Sequence, residues 1–203
     1  MRPVLLPVIL STPAQERQRP GPERVRAQSR AGRAAVRRSA ERCGATLGEL
    51  ELDAAGAPRP ALGWHWSTTH DATWAAGVVH RAPVGIDLER IEPRRPELVE
   101  PVLSDPEREL LGEFDWRDFM RVWTAKEAVL KRAGIGLSAL SQCRLAAPPA
   151  ARVVELDFRG ARCLVHQTFL SGEHVVSVHT PGSDWSVDWL VHPTRAPAPR
   201  AGP

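Results

Sequence analysis

Apolar residues recur at helical spacing in Trp116–Ala133. At 100° per residue, Trp116, Met120, Trp123, Glu127 and Lys131 fall within about 80° of arc, with Leu130 just beside them. A helix here, stopped by Gly134 and Gly136, has Glu127 near the middle of its most apolar stripe. Pro22–Cys43 is dominated by Arg and Ala, both strong helix formers, and predicts a long basic helix ending near Gly44. A short helix is expected over Asp105–Leu111, with Pro106 at its first position. Val4–Leu10, Trp74–His80, Val84–Ile91, Val153–Phe158, Ala161–Thr168 and Val175–Thr180 read as strands. Glu49–Leu52, Trp64–Thr68 and Trp185–Val191 are weaker extended candidates. The short link Arg81–Pro83 predicts an antiparallel hairpin between Trp74–His80 and Val84–Ile91. Gly and Pro mark irregular chain at Ser11–Pro22 and Ala54–Pro60.

The order is β, α, several β, then α and several β again. It predicts an α+β fold of two similar lobes, residues 1–95 and 96–192, with Pro93, Pro96 and Pro101 at the boundary. Residues 193–203, made of Pro, Ala, Arg, Thr and Gly, read as an unfolded tail. With 203 residues, 42% of them hydrophobic and 25% charged, a packed core is expected. No apolar run is long enough to span a membrane, and a cytoplasmic protein is expected. Cys43, Cys143 and Cys163 form no CxxC pair, which excludes a disulfide scaffold and a zinc ribbon.

In the strand over Val84–Ile91, Asp87 and Glu89 point to one face, roughly 7 Å apart, and Ile86 and Leu88 to the other. By itself such a pair is most simply a solvated face. Glu127 on its apolar stripe needs either a raised pKa or a cation, and Lys131, one turn on, could be that cation. The lysines carry further information. Of 27 cationic residues only Lys126 and Lys131 are Lys, and both fall in WTAKEAVLK. A compact ammonium makes point contacts with phosphate oxygens. Asp87, Glu89 and Glu127 form a hard oxygen set without His or Cys, which selects Mg²⁺ or Mn²⁺ over zinc. Nine Arg against three Glu between Glu16 and Arg42 add a basic surface. A polyphosphate substrate is the reading, with neither a P-loop nor a GxGxxG motif to hold it. Another Mg²⁺-dependent phosphoryl or pyrophosphate enzyme is one alternative. A non-enzymatic basic adaptor binding nucleic acid through Glu16–Arg42 is another; the modest net charge of +3 and the lack of a nucleic-acid motif disfavour it.

Gly85-Ile86-Asp87-Leu88-Glu89 and, some forty residues later, Trp123-Thr124-Ala125-Lys126-Glu127-Ala128-Val129-Leu130-Lys131 resemble the paired acidic motifs of Sfp-type 4′-phosphopantetheinyl transferases. Gly134-Ile135-Gly136-Leu137-Ser138 resembles a third family segment. Arg59-Pro60 and Thr69-His70 stand where the family has Lys-Pro and Ser-His. The resemblance implies a pseudo-dimer of two α+β lobes with the active site in the cleft between them, complete in a monomer. It implies transfer of the phosphopantetheine arm of coenzyme A to a Ser hydroxyl of an acyl or peptidyl carrier protein, an acidic helical domain. No nucleic acid or membrane takes part. Asp87, Glu89 and Glu127 would hold Mg²⁺, Glu127 would take the Ser proton, and Lys131, helped by Lys126, would contact the phosphates. Thr69 and His70 would bind the 3′-phosphate, with Arg59, Arg30 and one of Arg17 or Arg19 near the nucleotide. Asp71 departs from the pattern, being an anion where a phosphate is expected. The Sfp-type branch leans toward secondary metabolism, that is, polyketide and nonribosomal-peptide carriers.

Overall fold

The computed structural model describes residues 3–182 and 185–193. The first strand expected over Val4–Leu10 is divided at Pro7 into β1 (Val4–Leu5) and β2 (Val8–Ser11). Proline cannot donate to a ladder, and the two halves take different partners. The connection that follows holds one unexpected helical turn, α1 (Ala14–Arg17), before the long α2 (Gly21–Arg42). Glu49–Leu52 forms no strand; Leu52 makes only an isolated bridge to Pro58. β3 (His65–His70) and β4 (Trp74–His80) then pair antiparallel.

The hairpin expected between Trp74–His80 and the next strand does not form. β4 is bracketed by β2 and β3, and its five central residues are buried, so neither edge is left for a third partner. The next strand, β5 (Gly85–Arg90), instead pairs antiparallel with β9 (His174–His179), with Asp87 opposite Ser177 and Glu89 opposite Val175. Between them in sequence lie α3 (Val99–Val102), α4 (Asp105–Leu111), α5 (Trp116–Ala133), β6 (Cys143–Leu145), β7 (Val153–Phe158) and β8 (Ala161–Leu170). The sheet they complete is antiparallel throughout, in the order β5-β9-β8-β7-β6. The stretch expected as one strand over Trp185–Val191 is two: β10 (Ser186–Val187), parallel to β1, and β11 (Leu190–His192), parallel to β2. The other sheet therefore reads β11-β2-β4-β3. The expected tail lies almost wholly outside the described residues.

The protein is thus mixed α+β. Helix α2 packs on β2, β3 and β4, and helix α5 on β5 and β9. Apolar side chains of both sheets, among them Ile9, Val78, Ile86, Leu88 and Val176, share one core. The inner face of α5, with Phe119, Val122 and Val129, shares another with β6–β9. Cys143 and Cys163 are buried and Cys43 half-buried, all as free thiols. No helix among the described residues is long and apolar enough to cross a membrane.

Candidate active site

Gly85 decides how closely α5 approaches β5. A Cβ there would sit 1.9 Å from the Ala128 carbonyl oxygen, so only glycine lets the helix lie this near the strand. The helix itself is firmly bounded. Asp115 caps it by accepting from the backbone N–H groups of Arg117 and Asp118, and Gly134 ends it in a left-handed conformation (φ 67°). The close approach brings Lys131 Nζ to 2.6 Å from Asp87 Oδ1, and Glu127 Oε2 lies 3.8 Å from the same ammonium. On the opposite side β3 closes in. Thr69 Oγ1 donates to Asp87 Oδ1 at 3.1 Å, and Ile86 N–H donates to Ser67 Oγ at 3.1 Å. Asp87 therefore sits at the junction of the two sheets, buried, with Oδ2 lacking any partner. Glu89, next on the same strand face, pairs with Arg94 at 2.9 Å.

The charges are crowded. Burial, then Asp87 and Glu89, push the Glu127 carboxyl up to about 7, with Lys131 opposing. Glu89 is raised by burial and by Asp87, against Arg94, a Trp123 hydrogen bond and Lys131. For Lys131 burial works against the charge, but Asp87 and Glu127 outweigh it and raise its pKa. The Lys131 ammonium and the Arg94 guanidinium thus under-compensate three carboxylates. Among the described residues, no group of three or more His, Cys, Asp or Glu side chains stands ready as a metal cluster, and Lys131 lies between Asp87 and Glu127. In number, hardness and unbalanced charge, and in the unpartnered Oδ2 of Asp87, the set nonetheless fits a divalent cation.

Beside this group opens a cleft of about 380 Å³, lined by Ser29 and Arg33 of α2, Trp66, Ser67, Thr68 and His70 of β3, the loop around Gly56, Lys131 and the Gly134–Gly136 turn. His70 is half-buried, its pKa lowered by burial and by Lys131. Of the residues singled out from sequence, Asp87, Glu127, Lys131 and Thr69 meet at the junction, Lys131 and His70 line the cleft, and Glu89 lines a separate pocket with Arg94 and Trp123. Thr69 spends its hydroxyl on Asp87. Arg59, Arg30 and Arg17 are exposed and outside the cleft lining, and Arg30 lies 3.6 Å from Glu16. Lys126 is elsewhere altogether: it is 2% exposed, 2.6 Å from Glu107, and donates to the Val102 carbonyl oxygen.

Asp71 turns away from the cleft. Its Oδ1 accepts from the N–H groups of Thr73 and Trp74 at 2.6 Å each, and its Oδ2 lies 2.8 Å from His174 Nε2. Sequence reasoning missed Ser29, Arg33 and the backbone of Gly134–Gly136 as cleft residues. Ser29 and Arg33 are four apart on α2 and so share a face, but nothing in the sequence distinguished Arg33 from its eight neighbouring arginines.

Residues 83–180, which hold β5, α5 and most of the second sheet, match the model of the 4′-phosphopantetheinyl transferase superfamily. Just under half of the chain's 203 residues is thus similar to that superfamily. It is also similar to the 4′-phosphopantetheinyl transferase psf-1 of Bacillus pumilus, at 35% identity over 95 residues, 44% of this chain and 41% of that protein. A 4′-phosphopantetheinyl transferase of Bacillus subtilis is 31% identical over 86 residues, 39% of this chain and 38% of that protein. The matched stretch thus spans about two fifths of the length of these relatives. Asp87, Glu89, Glu127 and Lys131 fall inside the matched region; the cleft residues Ser29, Arg33 and Trp66 fall outside it.

Proposed function

We propose that the protein transfers the phosphopantetheine arm of coenzyme A to a Ser hydroxyl of an apo carrier protein. The observation that carries this is the meeting of Asp87, Glu127 and Lys131 at the edge of a cleft walled by a basic helix. In the reaction the Ser oxygen attacks the phosphorus that bears the pantetheine. The diphosphate P–O bond breaks, and 3′,5′-adenosine bisphosphate leaves. Glu127, whose carboxyl is pushed up to about 7, would take the Ser proton. Lys131 would hold the diphosphate oxygens as charge moves to the leaving phosphate. His70 would meet the 3′-phosphate within the cleft, with Arg33 on the facing helix; the exposed Arg30, Arg17 and Arg59, outside the cleft lining, would add only long-range positive charge.

Asp87, Glu89 and Glu127 would hold Mg²⁺, and Asp87 has a free oxygen for it. When bound, that ion would screen the diphosphate charge. The two-lobed pseudo-dimer remains part of this reading. It is supported by the matching strand orders β2-β4-β3 and β5-β9-β8, each with one long helix following its first strand. If the lobes are 1–95 and 96–192, β5 reaches across into the sheet of the second. The exposed arginines of α2 would steer an acidic carrier to the cleft of this monomer; carriers of polyketide and nonribosomal-peptide assembly are the first to try.

The test is intact-mass spectrometry of several apo carriers incubated with the protein, coenzyme A and Mg²⁺. A gain of one phosphopantetheine arm on at least one carrier is expected. Consumption of coenzyme A or nucleotide with every carrier unmodified would overturn the assignment.

A further inference from the structure

One buried polar chain lies beside the site, and no step of the proposed reaction uses it. Ser177 on β9 is directly opposite Asp87 on β5. Its hydroxyl lies 2.8 Å from Thr124 Oγ1 on α5. Gln167 Nε2, on β8, donates to Ser177 Oγ at 2.9 Å and to the Arg121 carbonyl oxygen at 2.9 Å; Gln167 Oε1 accepts from Arg121 Nε at 2.9 Å. Thr124 Oγ1 donates back to the Met120 carbonyl oxygen at 2.8 Å. The arrangement in which Gln167 donates to Ser177, Ser177 to Thr124 and Thr124 to the Met120 carbonyl satisfies all three side chains. Ser177 and Thr124 are fully buried and Gln167 is 1% exposed, so none of these groups has water as an alternative partner.

We infer that Thr124, Ser177 and Gln167 are positioning residues that set the rotation of α5 over the β5–β9 pair. On a helix, Thr124 lies one turn before Glu127 and within about 20° of Lys131. The apolar contacts of α5 are non-directional. The hydrogen bond between Thr124 and Ser177, the residue facing Asp87, is directional and adds a specific constraint on the helix's rotation. The same rotation that satisfies Ser177 delivers the Lys131 ammonium to Asp87 and the Glu127 carboxylate beside it. A shift of about 1 Å in such a group costs up to about 100-fold in rate.

This inference rests on the transferase reading. Its test compares Thr124→Val, Ser177→Ala and the conservative Thr124→Ser with wild type, measuring kcat and KM for coenzyme A and cooperative unfolding. Thr124→Val is expected to lower kcat about 10- to 100-fold with a smaller change in KM, because Lys131 moves with the helix while the cleft residues of α2 and β3 stay in place. Thr124→Ser, which keeps the hydroxyl, is expected to retain kcat within about threefold. Ser177→Ala supplies the same reading should Thr124→Val fail to fold. Folded Thr124→Val and Ser177→Ala proteins with wild-type kcat would overturn the inference, as would a Thr124→Ser loss equal to that of Thr124→Val. A wild-type protein that modifies no carrier would instead overturn the transferase reading itself.

Discussion

Glu127→Gln is expected to lower kcat for transfer by about 10²- to 10⁴-fold, the usual worth of a positioned general base, while leaving the fold intact or slightly more stable. The substitution preserves size and hydrogen-bonding capacity. It removes the only carboxylate of the group that is both on α5 and raised to near neutrality. It also removes one of three carboxylates that repel one another at the sheet junction, where burial and Asp87 already disfavour the charged form. A thermal midpoint equal to or above wild type, together with the rate loss, separates a chemical role from a packing role. A kcat within about threefold of wild type would remove Glu127 from the reaction.

The other large effect is on stability. Lys126→Met is expected to cost about 3–5 kcal/mol, because it strands a buried carboxylate. Lys126 and Glu107 are 2% and 4% exposed, and their charged atoms are 2.6 Å apart. Glu107 cannot turn to water: Ser104 N–H and Oγ–H both donate to its Oε2, and Leu145 N–H donates to Oε1 at 2.6 Å. One carboxylate thus ties the start of α4, strand β6 and helix α5 together. Burial alone would raise the Glu107 pKa, but Lys126, Leu145 and Ser104 outweigh it and hold it below the ordinary value.

A depressed carboxyl pKa binds fewer protons folded than unfolded. Its stabilisation is therefore complete above the unfolded value and is lost as pH falls through the folded one. Removing Lys126 should flatten that acid limb as well as lower the plateau. Glu107→Gln added to Lys126→Met should cost less than the sum of the two single changes, since the uncompensated charge is gone. Denaturant unfolding at neutral and acidic pH measures both effects. A Lys126→Met protein within about 1 kcal/mol of wild type would refute the account of this pair.

Lys126 also marks a limit of sequence reading. Both lysines were rightly conspicuous in an arginine-rich chain, and one argument, point contact with phosphate, covered both. Only Lys131 reaches the site. Lys126 is five residues on the N-terminal side and points about 140° away around the helix, into the contact with α4. The compactness of an ammonium matters there too, for fitting between Glu107 and the Val102 carbonyl oxygen. Helix-forming composition for α2, Pro106 for α4 and periodicity for α5 located these helices to within a residue. Periodicity could not say which strand pairs with which. Alternation in Val84–Ile91 put Asp87 and Glu89 on one face, yet a short link to Trp74–His80 pointed to the wrong neighbour. Only the occupation of both edges of β4 settles that. The cleft was least legible. Arg33 and Ser29 are ordinary members of a basic helix until the β3 strand is laid against them, and the Thr69 hydroxyl, expected at a phosphate, also reaches Asp87.

The most direct measurement is the anomalous scattering of Mn²⁺ in crystals grown with the ion and coenzyme A. The account predicts a single strong peak within bonding distance of the Asp87 and Glu127 carboxylates, absent from Asp87→Asn crystals. A peak at some other part of the molecule, or one that persists in Asp87→Asn, would contradict it.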